Sequence, residues 1–333
     1  MILAGDIGGT STRLAFFEVM AGRLRLVVGQ TYTSREHRGL DEIVTRFVAA
    51  HELPVECACF GIAGPVKHGR TETPNLAWVV DAKNLARGLG LPAVGLINDL
   101  EANAHGVAEL EAKDFVVLNA GALDAAGNAA IISAGTGLGE AGFYWDGQQH
   151  HPFACEGGHA DFAPRNELEA ELLCYLLTKF EHVSYERVLS GPGLHQIYQF
   201  LRDTGRGEEQ ASLVDEMQRQ GPSAAISQAA HEGTCQLSVD ALDLFVSLYG
   251  AEAGNLALKL MATSGVFVGG GIAPKIIEKL KGKAFMEAFT AKGRLKPLLE
   301  TIPVRVILNE KTALLGAARY ALRCARLMEP SLA

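Results

Sequence analysis

Near the start of the chain an apolar run meets an aspartate, two glycines and two hydroxyl residues, and a second apolar run follows at once. The string is Gly5, Asp6, Ile7, Gly8, Gly9, Thr10 and Ser11, then Leu14 to Phe17. The dinucleotide fold and the P-loop both need a helix after their glycines. Here the residues after the glycines pattern as a strand, so the element is a β-hairpin with a glycine pair in its turn. Such a turn lets backbone N–H groups converge on an anion. Asp6, at the strand end, is placed to hold Mg2+ directly or through water, since Mg2+ takes one or two carboxylates together with phosphates and waters. A plain hairpin turn uses glycine equally well, and the motif alone leaves both readings open.

The same grammar recurs at Ser133, Ala134, Gly135, Thr136, Gly137, Leu138 and Gly139, between strands expected at 129–134 and 139–145. Around the first hairpin the pattern predicts strands at 1–5, 13–18 and 24–32 and a helix at 40–50 with Ile43, Phe47 and Val48 on one face. A strand at 55–63, a helix at 82–89, a strand at 93–97 and a helix at 98–108 follow. Around the second, it predicts a strand at 115–119, helices at 167–180 and 240–261, a strand at 266–268, a helix from Pro274, a strand at 304–308 and a last helix at 312–327. Strands first and alternation later describe an α/β chain with mixed sheets flanked by helices, built as two copies. The expected domains are a smaller lobe, 1–107 joined by the C-terminal helix at about 309–333, and a larger lobe, 108–308. The polar stretch 205–232 reads as a surface excursion.

Two lobes suit 333 residues. With 48% hydrophobic and 20% charged residues, the chain is expected to be ordered. Its net charge of -8, with no clustered Lys/Arg run, predicts neither nucleic acid nor membrane as a partner. Phosphates must then be held by backbone amides, metal ions and a few local cations. No basic leader precedes an apolar segment at the N-terminus, and the apolar runs fall short of the ~20 residues a membrane span requires. Six scattered cysteines without a CxxC pair read as buried thiols of a reducing compartment. A cytoplasmic location is the expectation.

Three further strings carry chemistry. At Leu96 to Ala102 a buried strand ends in Asn98 and Asp99 before a helix, and the carboxyl end of such a strand is where open α/β sheets bind ligands. Asp99 reads either as a helix cap or as a base taking a proton from a hydroxyl that Asn98 orients. At Cys155 to Ala163, Glu156 and His159 flank two glycines, a set suited to sugar hydroxyls, which both donate and accept. His150, His151 and Asp161 crowd nearby, but the regular Cys/His spacing of a structural zinc site is missing. At Gly265 to Ile272 a buried strand meets three glycines, among them Gly270, allowing close backbone approach to an adenine–ribose unit or simply a tight packing turn. Glu186, in Ser184 to Gly193, reads alone as a surface charge, and Ser190, Gly191, Pro192 and Gly193 after it read as a sharp turn.

Together GDIGGT, GIAGP (Gly61 to Pro65), IND (Ile97 to Asp99), AGTGLG, EGGHADFAP (Glu156 to Pro164), ERVLSGPG (Glu186 to Gly193) and GGGI resemble the bacterial glucokinase family. That family is ATP-dependent and belongs to the actin-like (ribonuclease H-like) ATPase superfamily. The resemblance covers about residues 2–321. EGGHADFAP with ERVLSGPG is its most specific part, whereas GDIGGT is common to many sugar kinases. It implies the two-lobed actin-like fold, with sugar deep in a cleft and ATP above it, and phosphorylation of glucose at the 6-hydroxyl. Asp99 matches the general base. Asn98, Glu156, His159 and Glu186 match sugar ligands. Gly5 to Thr10 match one phosphate loop, with Asp6 at Mg2+, and Gly135, Thr136 and Gly137 the opposing one. A homodimer is implied as well. Leu100 departs from the phenylalanine the family often has after the aspartate. The cysteine-rich zinc motif and helix-turn-helix of the related repressor–kinase group are missing from the sequence. A kinase for another hexose and a non-catalytic sugar sensor are the alternatives, and Asp99 speaks against the sensor.

Overall fold

The glycine pair of the first motif turns strand β1 (Ile2–Ile7) back into β2 (Ser11–Met20), and β3 (Arg23–Thr33) continues the meander. These coordinates are a computed structural model that describes residues 1–73 and 76–328. Two compact units emerge. One comprises Met1–Ala112, Pro152–Ala154 and the segment from Asn309 onward, and the other Lys113–His151 and Cys155–Leu308.

In the first unit β4 (Cys57–Ile62) lies parallel to β1. A small hairpin of β5 (Arg70–Glu72) and β6 (Val79–Asp81), not foreseen from the sequence, precedes β7 (Gly95–Asn98), which is parallel to β4. The sheet order is β3-β2-β1-β4-β7. Helices α1 (Leu40–His51) and α2 (Ala82–Leu89) bury Ile43, Phe47 and Leu85 against Phe16 and Phe60. Asp81 caps α2 by accepting from Lys83 N at 2.8 Å, and Gly90 ends it in the left-handed region. The opposite side of the sheet carries α3 (Asp99–Val107) and the C-terminal helix.

The second unit repeats the plan. Strands β8 (Phe115–Asn119), β9 (Ala129–Ala134), β10 (Leu138–Trp145), β11 (His150–Cys155), β12 (Gly265–Gly269) and β13 (Val304–Ile307) form a sheet ordered β11-β10-β9-β12-β13-β8. Strands β9 and β10 pair antiparallel, and β12 runs parallel to both β9 and β13. An antiparallel hairpin followed by two parallel strands is thus common to both sheets, as the duplicated sequence pattern predicts. Eight helices accompany this sheet: α4 (Glu167–Leu177), α5 (Gly191–Asp203), α6 (Ala211–Gln220), α7 (Pro222–Glu232), α8 (Gln236–Leu260), α9 (Ile277–Leu280), α10 (Lys283–Thr290) and α11 (Lys296–Glu300). In the core, Phe245 and Tyr249 of α8 meet Phe285 and Phe289 of α10. The Tyr249 hydroxyl accepts from Ala134 N (3.1 Å) and donates to Gly269 O (3.2 Å), tying together the ends of β9 and β12.

Three expectations change. Residues 205–232 are largely two helices, whose Leu213, Ala225 and Ile226 join the core. The turn expected at Ser190 to Gly193 opens α5, with Ser190 Oγ accepting from Gly193 N at 3.0 Å. Strand β11 was not foreseen. Among the described residues no helix is long and apolar enough to cross a membrane.

The last helix, α12 (Thr312–Met328), returns to the first unit and packs Ala313, Ala317 and Ala318 beside Ile2, Ala4 and Cys59. Residues 329–333 of the expected final helix lie outside the described residues. Helices α3 and α12 touch through backbone: a Cβ added at Gly316 would overlap Ala102 O, and one at Gly106 would overlap Thr312 O. Gly316→Ala must therefore push the helices apart. Overpacking of this kind costs about 1–3 kcal/mol, expected as a lower urea midpoint at an unchanged slope. A midpoint equal to wild type would show that the crossing relaxes freely.

Candidate active site

In the first unit the turn between β1 and β2 closes with Gly8 N donating to Ser11 O at 2.9 Å. Its anchor is Ser34, which sequence reasoning missed. Buried Ser34 donates from Oγ to Gly8 O (2.8 Å), meets Thr12 Oγ1 (3.0 Å) and donates from N to Thr10 O (3.0 Å). The only sequence signal for it was a hydroxyl residue after a strand. Gly8 and Gly9 are partly exposed and Thr10 exposed, whereas Ile7 points into the core and accepts from Ala63 N at 3.1 Å. Gly5 is within β1, where a Cβ would stand 2.5 Å from Phe60 Cδ1; its missing side chain serves strand packing. Asp6 lies opposite Arg13 in the ladder, with Arg13 Nη1 3.7 Å from Oδ2. Burial raises the Asp6 carboxyl above its ordinary value, and Arg13 opposes the rise.

Asn98 and Asp99 occupy the junction of β7 and α3. Asn98 is the cap: its Oδ1 accepts from Leu100 N (2.8 Å) and Glu101 N (3.3 Å), and its Nδ2 donates to Gly64 O (3.1 Å). Asp99 follows as the first helical residue, at the positive end of the helix dipole, with Leu100 N donating to its Oδ1 at 3.0 Å. The capping duty that the sequence allowed for Asp99 falls to its neighbour.

In the second unit the turn Gly135, Thr136 and Gly137 joins β9 to β10, with Gly135 N donating to Gly137 O at 2.8 Å. Glu186 reaches this turn. Its Oε2 accepts from Leu138 N at 3.0 Å and fills the space a side chain on Gly137 would need. Gly191 N donates to Gly135 O at 2.8 Å, so the start of α5 is fixed to the same turn. Glu156 and His159 bracket a short 3-10 turn with their side chains 3.9 Å apart, 56% and 60% exposed. Both glycines between them are closely packed, Gly157 against a side chain and Gly158 against backbone. A Cβ on Gly157 would overlap Glu140 Oε2, and one on Gly158 would overlap Leu138 O. This loop and the Glu186 segment are joined by Phe162 N to Val183 O (2.9 Å) and Tyr185 N to Ala160 O (3.0 Å). The structure thus brings Glu156, His159, Glu186 and Gly135 to Gly137 into one neighbourhood. Nearby titratable groups go elsewhere: His150 to Gly127 O, His151 to Asp146 and Asp161 to His182.

A cavity of about 760 Å3 adjoins the turn, lined by Thr136, Pro192, Pro222, Gly271 and Lys275 among others. One wall is the junction of α6 and α7, within the stretch that reads from sequence as a surface excursion. Gly270, in the left-handed region with φ 84°, packs where a Cβ would overlap Ala134 O. It is Gly271 that faces the cavity.

The glucokinase family profile matches residues 3–324. A glucokinase of Nostoc sp. is 44% identical, covering 97% of this chain and 99% of its own. One from Photorhabdus laumondii is 34% identical, covering 96% of each. Among solved structures, glucokinase from an Antarctic psychrotroph superposes with a TM-score of 0.83 at 29% identity, covering 97% of this chain and 98% of its own. A ROK family glucokinase from Streptomyces griseus in complex with glucose and AMPPNP gives 0.64 at 21%, covering 97% and 99%. The fold is the two-lobed actin-like one.

The geometry separates two carboxylates. Glu186→Ala leaves Leu138 N without its acceptor and loosens the turn beside the cavity; an unpaired buried donor costs about 1–3 kcal/mol. Both glucose and nucleotide affinity should fall, by about tenfold each, whereas Glu156→Ala should weaken glucose alone. Isothermal titration of the two ligands separately reads this, and unchanged nucleotide affinity in Glu186→Ala would detach the carboxylate from the turn.

Proposed function

The chain belongs to the glucokinase family, and on that premise we propose that its ATP-dependent phosphorylation of glucose acts on the 6-hydroxyl with Asp99 as general base. The observation that carries the assignment is the division of labour at the start of α3. Asn98 supplies the cap, so the helix does not require Asp99 for it, and Asp99 stands at the carboxyl end of a parallel strand. Phosphoryl transfer asks mainly for positioning and charge stabilisation. In this reading Asn98, Glu156, His159 and Glu186 hydrogen-bond the sugar hydroxyls. The N–H groups of Gly9 and Thr10 in one turn and of Thr136 and Gly137 in the other hold phosphate oxygens, those of Gly8 and Gly135 being used to close the turns themselves. The nucleoside occupies the 760 Å3 cavity, with Lys275 as the local cation.

Mg2+ fits Asp6. A single partly buried carboxylate beside a glycine turn, with Arg13 beyond hydrogen-bonding distance at 3.7 Å, suits an ion that keeps several waters and takes the rest of its ligands from phosphates. When bound, Mg2+ neutralises phosphate charge. Among the described residues no group of three or more His, Cys, Asp or Glu forms a protein-only metal cage. The same family membership is the ground on which we propose a homodimer, which sedimentation equilibrium decides.

Asp99→Asn keeps shape and removes proton acceptance. General-base assistance is worth ~10²–10⁴-fold, so kcat should fall by that factor while glucose still binds. Wild-type kcat in this variant would exclude Asp99 as the base. A panel of hexoses in the same coupled assay tests the sugar preference.

A further inference from the structure

Glu140 lies on β10 directly beneath the loop that carries Glu156 and His159. It is 1% exposed. Its Oε2 occupies the space a Gly157 Cβ would fill, and its backbone oxygen accepts from Cys155 Sγ at 3.3 Å. The loop therefore rests on this side chain from below. The other carboxyl oxygen, Oε1, is buried without a hydrogen-bond partner.

The charged and titratable groups facing Glu140 come from two sides. Helix α8 presents Glu252, Lys259 and Tyr249; the loop presents Cys155. Glu252 is fully buried and already accepts from Lys259 Nζ (3.1 Å) and Asn255 Nδ2 (2.7 Å). The one lysine is committed to Glu252. A carboxylate at position 140 would then be a second buried anion with no cation of its own. Burial first, and the charge of Glu252 second, push the Glu140 carboxyl up to about 8, against the pull of Lys259. At neutral pH it is the uncharged acid.

We propose that Glu140 is a positioning residue for sugar recognition: its protonated carboxyl supports the loop under Gly157 and so sets where Glu156 and His159 stand. The proposal rests on the assignment of those two residues to the sugar. Its sign is fixed. Below about pH 8 the acid is neutral and the loop is supported. Above it, the new charge faces the Glu252 carboxylate, the support under Gly157 fails, and glucose binds more weakly. Lys292, which donates to Ala251 O and Asn255 Oδ1, is lowered by burial to about 8 and loses its proton in the same range. A comparison that leaves Lys292 in place is therefore required.

Glu140→Gln is that comparison, a neutral isostere that keeps every other titrating group. Glucose affinity is measured calorimetrically without nucleotide, from about pH 6 to about pH 9.5, for wild type, Glu140→Gln and Glu156→Gln. Wild type should lose about tenfold in affinity on the alkaline side, the scale of one uncompensated buried polar contact, and Glu140→Gln should lose clearly less. Coincident profiles overturn the proposal. If instead Glu156→Gln binds glucose as tightly as wild type at neutral pH, the assignment of the loop to the sugar fails. A second variant tests the contact itself. Gly157→Ala should weaken glucose binding through overlap with Glu140, and adding Glu140→Ala should restore part of it. Equal weakening with and without Glu140→Ala also overturns the proposal.

Discussion

The first unit depends on a place where two helices meet with almost nothing between them. Gly106 and Ala102 of α3 face Gly316 of α12 so closely that backbone meets backbone. Interiors are packed as densely as crystals, and a contact of this kind has no slack to absorb a methyl group. The axis of α3 is thereby set, and α3 begins with Asp99. The small residues Ala317 and Ala318 continue the contact onto β1 and β4, the strands that deliver Asp6 and Gly61. In the second unit Gly250 plays the equivalent part, since a Cβ there would overlap Phe285 O of α10. Tyr249, its neighbour, reaches between β9 and β12 only because α8 lies so close.

An acidic protein that handles anions has to keep its own negative charges in order. Among the described residues three carboxylates are essentially buried, and each is treated differently. Glu169 accepts from Arg165 N (2.8 Å) and Nε (3.1 Å) and from Asn166 Nδ2 (3.2 Å), which satisfies the charged form. Glu252 has a lysine and an amide. Glu140 has neither, and the consequence is a proton retained rather than a charge compensated. The two glycine turns, by contrast, are held rigid by neutral groups, Ser34 and Thr12 in one unit and the Gly191–Gly135 backbone bond in the other.

Much of this was legible beforehand, for physical reasons. Buried strands announce themselves by apolar runs, and a glycine turn between two strands excludes the helix-after-glycine folds, so the hairpin-first architecture and its repeat followed. Asn98, Glu156 and His159 stood out as candidates because polar residues at a strand end or beside paired glycines are unusual, whereas Glu186 read alone as a surface charge and became a candidate only through the family resemblance. What stayed hidden depended on tertiary partners. Ser34 is an ordinary loop serine until the fold brings Gly8 and Thr12 to it. Glu140 is a lone charge in an apolar strand, and nothing near it in the sequence tells that α8 and the Gly157 loop cover it. Residues 211–232 are polar because each helix there buries only a narrow stripe, Leu213 in one and Ala225, Ile226 and Ala229 in the other. The duty of Gly270 is likewise invisible in one dimension, because the backbone it makes room for, Ala134, is far away in sequence.

The placement of α12 has a consequence for how the protein is made. Chains emerge from the ribosome N-terminus first, and domains generally fold as units during synthesis. Here the first unit cannot complete in that order. Its strands and α1 to α3 are synthesised early, but the helix that covers Ala4, Ala15 and Ile97 follows the whole second unit. The intervening second unit is continuous from Lys113 to Leu308 apart from three residues. For most of translation the first unit therefore presents an open apolar sheet face, the surface that chaperones bind. Its completion waits on synthesis of the whole second unit, so a product that stops before Asn309 lacks the helix that packs Asp99's own helix in place.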